Sequence, residues 1–99
     1  MRLTDNQRKT IQHIIYQRVD ASCRIYLFGS RLDENARGGD IDLLLEFPHF
    51  VDEPALIVAR LSARVSRAMS GRKVDLLISA PNLRHLPIHD LALTEGQLV

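Results

Sequence analysis

Residues 41–47, "IDLLLEF", constrain the fold more than any other stretch of this chain. The run lies between the loop-forming "ARGG" and Pro48, and that bounding predicts a short strand. Asp40 and Asp42 sit either side of Ile41 at its mouth. Charged side chains are seldom fully buried unless they are paired or bound to a metal. Either a turn runs on into the strand, or the two carboxylates hold something.

Two further strands read the same way. "CRIYLF" (23–28) is rich in β-branched and aromatic residues and is bounded by Gly29. "KVDLLIS" (73–79) is closed by Pro81 soon after. Helices are predicted around them. Thr4 and Gln7 have capping-box spacing, and Ile11, Ile14, Ile15, Tyr16 and Val19 follow on one face, so residues 4–20 read as amphipathic. Pro54, preceded by Asp52 and Glu53, opens a second helix. Leu56, Ile57, Leu61, Val65, Ala68 and Met69 mark its apolar face, and Gly71 is the expected C-terminal cap. Pro87 precedes a third helix over 88–95, with Gly96 after it. The order helix, strand, strand, helix, strand, helix predicts an α+β fold, a small mixed sheet packed against helices in two layers.

At 99 residues the chain has room for one domain, residues 1–99, and one core. A net charge of +1 gives no general reason to expect binding to nucleic acid or membrane. The basic residues are unevenly placed, however. Arg60, Arg64, Arg67, Arg72 and Lys73 fall in a segment without acids. That segment reads as a solvated helix face or as a surface toward phosphates or an acidic partner. Cys23 is alone, so no intrachain disulfide forms. Without a signal-like N-terminus or a long apolar run, a cytoplasmic, soluble protein is expected.

Strand side chains alternate between faces, so Asp40 and Asp42 project to the same side, with β-carbons roughly 6–7 Å apart. Such oxygen ligands suit Mg²⁺, which usually binds through one or two carboxylates together with substrate phosphates. Asp75 stands at the same place in its own strand, ahead of Leu-Leu-Ile. If the two strands are neighbours, three carboxylates can share a two-metal site suited to in-line phosphoryl displacement. Gly29 permits close approach of backbone to a ligand, and Ser30 offers a hydroxyl and an amide to a phosphate oxygen. Arg31 and Arg37 flank the nine-residue loop after that pair and could neutralise phosphate charge. The reaction such a site suggests is attack on the α-phosphorus of a nucleoside triphosphate, with pyrophosphate leaving.

"GSRLDENARGGDIDLLLE" with the later "KVDLLIS" resembles the minimal nucleotidyltransferase branch of the DNA polymerase β superfamily. Its pattern is Gly-Ser, a loop, Asp-x-Asp on one strand and a third acid on another. The likeness runs from the first helix to "LALTEGQLV". It implies that Asp40, Asp42 and Asp75 are metal ligands, with Asp75 helping to deprotonate the acceptor hydroxyl. It implies that Gly29 and Ser30 hold the β and γ phosphates of ATP, with Arg31 beside them. The loop is about a residue shorter than the family's form, which leaves Arg31 and Arg37 less well matched than the acids. The resemblance also implies an antitoxin role, in which AMP is transferred to tyrosine on a HEPN-domain toxin partner.

Two alternatives stand beside that expectation. The nucleotide could go to RNA or a small molecule, or the chain could neutralise a partner by docking without catalysis. No separate acceptor domain fits in this length, so the acceptor site is expected to be shared with a partner or a second copy. His85 and His89 have zinc-like spacing, but Pro87 lies between them, and both are expected to be ordinary surface or core residues. Tyr16 and Tyr26 are expected in the core or at an interface. Arg72 and Lys73 are expected to be solvated.

Overall fold

The computed structural model describes residues 3–29 and 40–99. Helix α1 (Asp5–Tyr16) is followed by strands β1 (Arg24–Phe28) and β2 (Ile41–Glu46). Helix α2 (Pro54–Ala68), strand β3 (Val74–Ser79), helix α3 (Pro87–Glu95) and strand β4 (Gln97–Leu98) complete the chain. The strands form one sheet in the order β3-β2-β1-β4. β1 runs antiparallel to both β2 and β4, while β2 and β3 are parallel. A parallel pair needs a crossover, and α2 supplies it. This is the α+β arrangement with a mixed sheet that the order of segments predicts.

The sheet carries apolar side chains on both faces. Ile25 and Leu27 of β1, Ile41, Leu43 and Leu45 of β2, and Leu76 and Ile78 of β3 share one face. Ile11 and Ile15 of α1 and Leu61 and Val65 of α2 close over them. Phe28, Leu44, Tyr26 and Leu77 point the other way, where Ala92 and Leu93 of α3 pack on them. Leu43, Leu44 and Leu45 are consequently all fully buried. A triple leucine is what a central strand covered on both sides requires.

Several helix ends differ from expectation. Thr4 and Gln7 do form the reciprocal capping box, with Thr4 Oγ1 accepting from Gln7 N–H at 3.1 Å. The helix stops at Tyr16, not residue 20, where the Arg18 amide bonds the Ile15 carbonyl three residues back and the last turn tightens. Tyr16 is partly exposed, yet its hydroxyl donates to the Cys23 carbonyl at 2.6 Å. Glu53 caps α2 only with its backbone, in a left-handed conformation. Leu56 and Ala68 of α2 face outward instead of joining the core. At its far end Ser70 and Gly71 both take left-handed conformations, and the Gly71 amide reaches the Ser66 carbonyl at 2.8 Å. That is the Schellman pattern displaced by one residue.

Strand β4 was not predicted. It is only two exposed residues, held by Arg8 donating to the Leu98 carbonyl and Gln12 to the Val99 carbonyl, each at 2.9 Å. Gly96 precedes it because a side chain there would run into the Ala92 and Leu27 carbonyls.

Candidate functional site: a carboxylate cleft at one end of the sheet

The parallel register of β2 and β3 sets Asp42 directly beside Asp75. In the antiparallel pairing Asp42 also lies opposite Phe28, the last residue of β1 before Gly29. Three chain segments distant in sequence thus meet at one end of the sheet. Because Asp42 and Leu44 share a face, as do Asp75 and Leu77, both acids project on the side covered by α3. Ile41 between the acids is fully buried on the opposite side, which holds the strand in register.

The electrostatics of this end are unfavourable without a counter-charge. The Asp42 carboxyl is held above the usual carboxylate range, first by burial and then by the negative charges of Asp75 and Asp40. A hydrogen bond to Asp75, open only to the protonated form, acts in the same direction. Lys73 is the nearby cation, but its Nζ stands 3.9 Å from Asp75 Oδ1 and both side chains are well exposed. An ion pair of that kind contributes little. A divalent cation with oxygen preference fits this donor set.

Gly29 closes the cleft from the β1 side. Its φ is +76°, in the left-handed region, and a β-carbon there would collide with the Asp42 carboxylate. Both facts require glycine, and the second ties that requirement to the acid itself. Asp40 is half-buried just before β2 and close enough for its charge to act on Asp42. Among the described residues no three acidic, histidine or cysteine side chains converge as a ready-made metal cage. A Mg²⁺ ion that keeps waters and takes substrate phosphates needs no such cage. Ser30, Arg31 and Arg37 lie outside the described residues.

The histidine pair has a structural explanation. His89 is buried; its Nδ1 accepts from the Leu86 amide at 2.9 Å, and its Nε2 lies 3.1 Å from the Ile78 carbonyl. One ring therefore ties the start of α3 to the end of β3. His85 instead pairs with Asp90 at 2.6 Å. Cys23 is buried, and its thiol is pushed up to about 12, chiefly by that burial. It is inert as a nucleophile. A cavity of about 530 Å³ lies at the other end of the strands beside Arg24, Glu46 and Ser79, away from Asp42 and Asp75. Among the described residues no helix is long and apolar enough to cross a membrane.

No family model matches the sequence, and no curated protein matches it. Solved structures do. A chain from the complex of a tri-AMPylated Shewanella oneidensis HEPN toxin with MNT antitoxin aligns at a TM-score of 0.71 and 18% identity. That alignment covers 97% of this chain and 71% of the other. A toxin-antitoxin structure with AMP-PNP aligns at 0.72 and 19% identity, over 92% and 70% of the two chains. The toxin-antitoxin MntA-HepT structure aligns at 0.68 and 19%, over 96% and 70%. At such identities the likeness establishes architecture, and the chain shares its α+β fold with chains of these toxin-antitoxin complexes.

Proposed function

We propose that this chain is a Mg²⁺-dependent nucleotidyltransferase that moves AMP from ATP to a hydroxyl acceptor, a tyrosine of a HEPN-type toxin, and so serves as the antitoxin of a toxin-antitoxin pair. The observation that carries the reading is the juxtaposition of Asp42 with Asp75 against Gly29. The fold likeness adds support, since one neighbour is a complex with an AMPylated HEPN toxin and another holds AMP-PNP.

On this reading Asp40, Asp42 and Asp75 would hold the metal. Mg²⁺, when bound, would offset the negative charge that develops on the phosphate oxygens. Gly29 and Ser30 would seat the β and γ phosphates, with Arg31 alongside. The acceptor oxygen attacks the α-phosphorus, its proton passes to the Asp75 carboxylate, and the bond to the pyrophosphate bridging oxygen breaks. Asp75 suits the proton-accepting role because it is the more exposed of the paired acids. Asp42, pressed against Gly29, suits a fixed ligand.

The test is co-expression with a HEPN-type partner followed by intact-mass measurement of that partner. Added AMP units are expected with the parent chain and none with Asp42→Asn, whose fold should be retained. If toxicity is neutralised while the partner's mass stays unchanged, docking without transfer replaces this reading. Transfer that persists in Asp42→Asn would remove Asp42 from the metal site.

A further inference from the structure

The basic segment of α2 takes no part in the carboxylate cleft. Leu61 and Val65 of α2 pack on the sheet face opposite the one from which Asp42 and Asp75 project. The arginines flanking those residues are therefore directed away from any triphosphate held by the acids. Arg60, Arg64 and Arg67 instead line a groove of about 370 Å³ together with Arg18, which comes from just beyond α1. Ala59 and Ala63 complete the lining, so it contains four guanidinium groups and no acid. Among the described residues none of the four arginines has an ion-pair partner. The groove continues past Arg18 and Arg60 into a second depression of about 220 Å³, where Leu56 is exposed and Asp52 and Glu53 also form the lining.

We propose that this groove docks an acidic helix of a partner protein. Arg60, Arg64 and Arg67 are spaced i, i+4, i+7, which sets them about 6 and 4.5 Å apart along the axis. Glutamates at the same spacing on a facing helix present carboxylates at the same intervals. The guanidinium fork donates two parallel hydrogen bonds to one carboxylate, a geometry that lysine cannot supply. Ala59 and Ala63 leave the space for a second helix to approach to the usual 8–10 Å. Leu56 gives its apolar flank a seat at one end, where Asp52 and Glu53 repel carboxylates and so confine the acidic part of the helix to the arginines. A single-stranded nucleic acid fits less well, because neither depression contains an aromatic ring on which bases could stack. The inference depends on the fold alone, and a partner seated here leaves the carboxylate cleft open.

Fluorescence anisotropy on the full chain tests it. The probe is a labelled helical peptide with glutamates at i, i+4 and i+7 and a leucine one turn before them. Binding is expected to weaken as salt rises, and to fall about tenfold or more in the double variant Arg60→Glu/Arg67→Glu. Both residues are exposed, so its circular dichroism and thermal unfolding should match the parent. A double reversal of equal charge, Arg24→Glu/Arg84→Glu, changes residues that do not line the groove and should keep binding near the parent value. The proposal is overturned if the peptide does not bind, or if the two double variants lose binding equally. It is also overturned if a single-stranded RNA of equal net charge binds as tightly as the peptide.

Discussion

Gly29 and Asp42 form one unit at the scale of single residues. Gly29→Ala would place a methyl group where the Asp42 carboxylate lies, on a backbone already at positive φ. The left-handed conformation alone costs a non-glycine residue about 1–2 kcal/mol. A loss of at least that order in denaturant unfolding is expected, with transfer activity lost as well because the acid must move. Asp42→Asn should separate the two effects. Burial and the charges of Asp75 and Asp40 raise the Asp42 carboxyl, so the fold favours its protonated form. That contribution is fully present below the ordinary aspartate range and is lost as pH rises through the raised value. Without metal, Asp42→Asn should therefore melt higher than the parent at neutral pH, with the difference closing toward acid pH. Thermal unfolding across a pH series reads this directly, and a variant less stable at neutral pH would contradict it. Added Mg²⁺ should raise the melting point of the parent and leave that of Asp42→Asn nearly unmoved.

Among the elements, α3 depends on a contact that sequence spacing does not disclose. His89→Leu keeps the bulk but removes the acceptor for the Leu86 amide and the nitrogen facing the Ile78 carbonyl. Leaving buried polar groups unpaired costs about 1–3 kcal/mol, and a drop of that size in chemical denaturation is expected. Among the described residues the elements were largely legible: apolar runs bounded by glycine and proline marked the three longer strands, helical spacing marked α1 and α2, and Pro87 and Gly96 marked α3. The ends of α1 and α2 were not. α1 stops where the Arg18 amide takes the Ile15 carbonyl three residues back, a change that periodicity does not register. Strand β4 escaped because two exposed residues carry no pattern; its pairing with β1 comes from the tertiary approach of the chain end.

For the whole molecule, the doubly covered sheet separates two functions of charge. The acids occupy one face, and the arginine groove lies behind the other. Leu44 holds the α3 side together, being fully buried among Phe28, Leu77 and Ala92. Leu44→Ala should cost about 2–5 kcal/mol, measured by chemical denaturation. The strands, the capping box and the placement of Asp42 at the mouth of a strand follow from local sequence, because bounding residues and short-range spacing encode them. The sequence also singled out Asp75 and the glycine before the loop. That Asp42 faces Asp75 comes from the packed fold, since strand neighbourhood and register arise from how α2 carries the chain across. The same crossover brought Arg18 beside the α2 arginines and turned a basic segment into a groove. Contacts between residues far apart in the chain depend on packing, which no local pattern encodes.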